Sequence, residues 1–199
     1  AVDYFFDVEP YRTYRNYFNV YIVCAVSNDR GISGSLDHKG ETLDTKFSVA
    51  YTDVGNSSGM EVDAEPALEY AEAAPIRDVT QTLIVMIANC PDYGGTTTSW
   101  SNGISIAICP MIENEPPSDY RGVVQHEAGG HGFGKLIDEY IYYSTALPDE
   151  MIASFRQWEG FGHNANADLT DDPARIKWRE FYELPRYGMV GAFEGAYMY

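Results

Sequence analysis

Apolar residues fall along this chain in short dense runs. Residues 18–26 (FNVYIVCAV) are β-branched, aromatic and nearly continuous in apolar character, the pattern of a strand buried on both faces. Residues 82–88 (TLIVMIA) and 104–109 (ISIAIC) repeat it, and 47–52 form a shorter strand candidate. Residues 28–40 and 53–59 are rich in Gly, Ser, Asp and Asn and read as loops. Residues 64–74 (AEPALEYAEAA) combine helix formers with a proline near the start, which predicts a helix. Residues 92–103 read as a polar loop, and 110–118 as a proline-containing one. Residues 120–136 then predict a helix, with Val123, Val124 and Phe133 available to the core. Beyond Tyr140 the pattern weakens: 164–173 are polar and irregular, and 176–184 suggest a short helix.

The order strand, helix, strand, strand, helix predicts an α/β fold in which a mixed, twisted sheet backs the last helix. A length of 199 residues suits one domain, with 1–136 carrying the sheet and helix and 137–199 a less regular C-terminal lobe. The first residue is not methionine, so the chain is read as a processed form or a fragment of a longer protein. No apolar run reaches the length of a membrane span. A net charge of −17 argues against nucleic acid as a partner, because phosphate binding needs clustered Lys and Arg. Cys24, Cys90 and Cys109 do not make a disulfide framework; Cys90 and Cys109 could pair across adjacent elements, but the favoured reading is three buried thiols.

The chemistry is concentrated in residues 126–140 (HEAGGHGFGKLIDEY). Neutral imidazoles are good zinc ligands, and two of them plus a third group leave a position open for water. Zn2+ is therefore the expected cofactor. His126 and His131 are the candidate ligands, and Glu127 is placed to act as general base on that water. The spacing is unusual. The common motif has its histidines at i and i+4, on one helical face. At i+5 a regular α-helix rotates the second ring about 140° from the first, against about 40° at i+4. Gly129 and Gly130 lie between the rings and make an irregular turn inexpensive. We therefore expect a local π-bulge between His126 and His131.

The third ligand is open. A turn at Gly134 would bring Asp138 to the metal; Glu139 follows it as an alternative ligand, and otherwise either orients a histidine ring or is a surface acid. Glu194 and His163 are outside candidates. Residues 104–106 (Ile104, Ser105, Ile106) are expected to bind substrate if their strand lies at a sheet edge, where an extended peptide can add. Tyr140, Tyr142 or Tyr143 could donate to an oxyanion.

Residues 126–140 resemble the active-site segment of the IgA-endopeptidase-like zinc metallopeptidases, whose members carry His-Glu-x-Gly-His, Phe-Gly and Leu-x-Asp-Glu-Tyr. Tyr93-Gly94-Gly95 resembles that family's Tyr-Gly-Gly loop, and Gly191-Ala192-Phe193-Glu194-Gly195-Ala196 its Phe-Glu-Gly-Ala segment. The matches keep the family order over about half the chain and depart from it by one extra residue between the histidines. The resemblance implies a zincin-like catalytic domain and a single zinc on His126, His131 and Asp138. It implies Glu127 as base, peptide or protein substrates, and a secreted or surface-attached bacterial setting. The competing readings are a catalytically degenerate zincin that binds a protein or glycan, and a metal-dependent hydrolase of a non-peptide amide. The i+5 spacing favours the first of these; a retained Glu127 opposes it.

Overall fold

The computed structural model describes residues 1–52, 58–141, 145–182 and 184–195. These form two compact units, residues 1–133 and 134–199. The first unit carries α1 (Val2–Phe5), β1 (Ala50–Tyr51), β2 (Met60–Glu61), α2 (Ala64–Glu72), β3 (Leu83–Ala88), β4 (Thr96–Ser99), β5 (Ser105–Pro110) and α3 (Tyr120–Val123). A π-helix, Val124–Phe133, runs on directly from α3. Among its described residues the second unit holds α4 (Asp149–Gly160), a short 3-10 turn, Pro185–Tyr187, and otherwise irregular chain. The class is mixed α/β.

The sheet order is β3-β5-β4, with β3 parallel and β4 antiparallel to β5. All six residues of β5 are buried, as an apolar central strand requires. Its side chains alternate between two cores. Ile106 and Ile108 enter one with Ile32, Val49, Met60, Met86 and Ala67 of α2. Ala107 and Cys109 enter the other with Phe5, Ile112, Val123, Val124 and Ala128. The helices thus flank the sheet, α2 on one face and the π-helix on the other. Full burial of Ile106 and Ile108 contributes about 1.5–3 kcal/mol each. The small residues Ala107 and Cys109 let the π-helix lie close on its side. There Gly132 packs so tightly that an added Cβ would come 2.5 Å from Leu83 Cδ1. Asp63 caps α2 by accepting from Glu65 N–H, and Asp119 caps α3 by accepting from Gly122 N–H.

Several sequence expectations need correction. Residues 18–26 are not a strand. Apart from half-buried Phe18 they are exposed, Ile22 by 82% and Val26 by 86%. They line an open groove of about 1700 Å³ beside β3 and α2 without joining a ladder. Composition marked the run as strand-like, but a strand exists only where backbone groups find partners. The reading of residues 92–103 as a loop missed β4, whose Thr96-Thr97-Thr98 is β-branched though polar. Residues 176–182 form bends and turns rather than the start of a helix, residue 183 lies outside the described residues, and α4 was not foreseen. Cys90 and Cys109 are buried free thiols, whereas Cys24 is exposed.

Candidate metal centre

Val124–Phe133 is a continuous π-helix rather than an α-helix with one bulge. Its i→i+5 hydrogen bonds enlarge each turn by a residue, so i and i+5 stand as i and i+4 do in an α-helix. The rings of His126 and His131 consequently meet. Their Nε2 atoms are 3.1 Å apart, the ring centroids 4.6 Å apart, and the planes at 85°. Two histidine ligands at about 2.05 Å from one tetrahedral ion have nitrogens about 3.3 Å apart. The observed separation is therefore close to that of a shared zinc.

The irregular helix is held from both sides. Ala128 and Gly129 are buried, and the Tyr11 hydroxyl donates to the Gly129 carbonyl at 2.5 Å. Burial raises the Tyr11 pKa, which keeps the phenol a donor. Phe133, although 49% exposed, packs edge-on against Phe5 and Tyr11 and tilted on Phe18.

Glu127 is 7% exposed and turns toward β4. The Thr97 hydroxyl lies 2.9 Å from Glu127 Oε2 and 2.8 Å from the Glu127 carbonyl oxygen, and its single proton serves either acceptor. Gly95 lies against the same carboxylate. A Cβ there would sit 2.9 Å from Glu127 Oε1 and 3.1 Å from its Cγ, at a φ of +152° that L side chains rarely adopt. The Tyr93-Gly94-Gly95 loop thus leaves the space that Glu127 occupies. Sequence reasoning noted the glycines without this role, and it missed Thr97 and Tyr11 altogether. The only signal for Thr97 was its place in a β-branched run just after the glycine pair.

His126 and His131 offer ring nitrogens from the first unit, and Asp138 of the second unit is the candidate carboxylate ligand. Two imidazoles and a carboxylate are a donor set that suits zinc. Among the described residues no other His, Cys, Asp or Glu completes a group of three. Glu139 is exposed and accepts from Asn166 Nδ2 at 3.0 Å. Glu194 is exposed and outside the group. His163 is outside it too: its Nε2 is buried without a hydrogen-bond partner and its ring meets Trp158 edge-on at 4.9 Å. Burial, and then the charge of Lys135, lower the His163 pKa. Cys109 lies beneath the helix, but burial, with the nearby Glu127 charge, raises its pKa and keeps it a thiol.

The expected substrate strand is a correction. β5, which contains Ser105 and Ile106 and follows Ile104, is central and buried on both faces, so its backbone groups are already paired with β3 and β4. A peptide cannot add to it. The antiparallel edge strand of this sheet is β4. Tyr140 is 50% exposed. Tyr142 and Tyr143 lie outside the described residues.

The sequence model of the family described as IgA Peptidase M64 matches residues 1–186. No curated protein matches the chain. No helix among the described residues is long and apolar enough to cross a membrane.

Proposed function

The chain belongs to the IgA Peptidase M64 family, and from that premise we propose that it is a zinc-dependent endopeptidase. The observation that carries the reading is the π-helix, which sets the two imidazole nitrogens 3.1 Å apart with Glu127 buried against β4 beside them. This geometry removes the one sequence feature that favoured a degenerate binding domain, because i+5 spacing in a π-helix leaves the histidines together.

His126, His131 and Asp138 would hold the ion. When bound, zinc supplies Lewis acidity, easing ionisation of water and polarising a carbonyl. Glu127 takes the proton from the attacking water and passes it to the leaving amine. Thr97 and the cleft left by Gly95 fix where that carboxylate stands. A peptide in extended conformation adds to the outer edge of β4 by main-chain hydrogen bonds, which places its backbone on the strand that touches Glu127. The substrate class is accordingly protein or peptide.

The test is metal analysis together with cleavage of a generic peptide by the wild-type chain and by Glu127→Ala. One zinc per chain and cleavage lost in the variant are expected. Stoichiometric zinc with cleavage indifferent to Glu127 would remove the proposed base. Absence of stoichiometric metal would remove the catalytic reading as a whole.

A further inference from the structure

Asp138 lies in a stretch with no regular structure: none of residues 135–139 belongs to a helix or a strand. A ligand must nevertheless be presented at a fixed position, because coordination tolerates little displacement. One backbone bond and one side chain hold the stretch instead. Asn164 N–H donates to the Lys135 carbonyl at 2.9 Å. Two residues further along both segments, Ile137 N–H donates to Asn166 Oδ1 at 3.0 Å, and Asn166 Nδ2 donates to the Ile137 carbonyl at 2.8 Å. The same Nδ2 reaches Glu139 Oε1 at 3.0 Å. One amide side chain therefore holds the residue before Asp138 at both of its backbone groups, and holds the residue after it by its carboxylate. The Ile137 carbonyl belongs to the planar peptide unit that includes the Asp138 nitrogen. Binding that carbonyl fixes the plane from which the Asp138 side chain springs.

The platform behind Asn166 is itself anchored. Lys177 Nζ donates to the carbonyls of Asn164 and Ala167, and it pairs with Glu159 of α4. Its ammonium also lies 4.9 Å from the Phe155 ring centroid. Asn164 is buried and adopts φ +61°, a left-handed conformation that asparagine tolerates better than most residues. The Asn164 side chain donates to the Phe155 carbonyl at 3.3 Å, so the Asn164 backbone N–H and the Asn166 side chain are the groups that meet residues 135–137.

We infer that Asn166 is a positioning residue for the third metal ligand, acting on Asp138 through the Ile137 peptide. The inference rests on the proposed role of Asp138 as a ligand. Residues that orient ligands from behind typically change metal affinity 10- to 100-fold when removed.

The experiment is a double-mutant cycle on the full chain. Zinc affinity is measured by chelator competition for wild type, Asn166→Ala, Asp138→Ala and the double variant. Hydrogen exchange at the Ile137 amide is followed in the zinc-free chain. Asn166→Ala is expected to weaken zinc binding about 10- to 100-fold and to speed exchange at Ile137. In the Asp138→Ala background the same change is expected to leave affinity unaltered. Equal weakening in both backgrounds would show general loosening and overturn the inference. Unchanged affinity in Asn166→Ala, with Asp138→Ala strongly weakened, would overturn it and leave the metal reading intact. Unchanged affinity in Asp138→Ala would overturn the metal reading, and this inference with it. Should Asn166→Ala fail to fold, Asn166→Asp keeps the acceptor for Ile137 N–H but faces the Ile137 carbonyl and Glu139 with a carboxylate. The same loss of affinity is expected from it, and wild-type affinity would overturn the inference.

Discussion

Replacing Gly95 with alanine tests whether the position of Glu127 governs turnover. The new Cβ would stand 2.9 Å from Glu127 Oε1, 3.1 Å from its Cγ and 3.1 Å from Val123 Cγ1, where ordinary contacts begin at 3.4 Å. The carboxylate must therefore retreat by about half an ångström, since a φ of +152° leaves the backbone little freedom to yield instead. A displacement of about 1 Å in a reacting group costs on the order of 100-fold in rate. A fall in kcat of roughly 10- to 100-fold is expected. Backbone strain adds about 1–3 kcal/mol of destabilisation, several degrees in Tm for a chain of this size. Zinc content is expected to stay at the wild-type level, because neither His126 nor His131 is among the atoms that Cβ meets. The assay is kcat on a generic peptide, with metal analysis and a thermal melt on the same samples. Gly94→Ala is the control: its Cβ would come 2.8 Å from Tyr51 Cε1, so it costs stability without touching Glu127. The reasoning fails if Gly95→Ala keeps wild-type kcat, or if Gly94→Ala loses kcat to the same extent.

Thr97→Val removes the hydroxyl that bonds Glu127 while keeping its shape; a loss of about 1.5–3 kcal/mol in stability and a reduced kcat are expected, measured by denaturant unfolding and peptide cleavage. Unchanged values would mean the hydroxyl is irrelevant to the carboxylate. Burial and Lys135 hold the His163 pKa below its ordinary 6.5, so on acidification the unfolded chain binds a proton before the folded one does. Stability of the unit formed by residues 134–199 is therefore expected to be intact above about pH 6.5 and to fall below it, followed by tryptophan fluorescence during unfolding. His163→Phe keeps a ring against Trp158 and is expected to flatten that part of the profile; an unchanged slope would assign the effect to other groups.

What the sequence determined was chemical and local. The donor types His126, His131 and Asp138, the adjacent Glu127 and the glycines of the motif are readable because metal chemistry demands particular side chains at short spacings. β3 and β5 are readable because dense β-branched runs have few alternatives, and α2 because its helix formers and proline carry their own signal. The helix form between the histidines was only half readable: the extra residue announced an irregularity, but its extension over ten residues depends on what lies against it, including Leu83 beside Gly132 and the Tyr11 hydroxyl on the Gly129 carbonyl. Only the tertiary structure decided which strand was an edge. Pairing on both sides makes β5 central and moves the candidate substrate edge to β4, while residues 18–26, equally apolar in sequence, stay unpaired. The hydroxyl of Thr97 and the amide of Asn166 were invisible for the same reason. Their partners lie 30 and 29 residues away, and a hydrogen bond between such residues is a fact about space that no local pattern records.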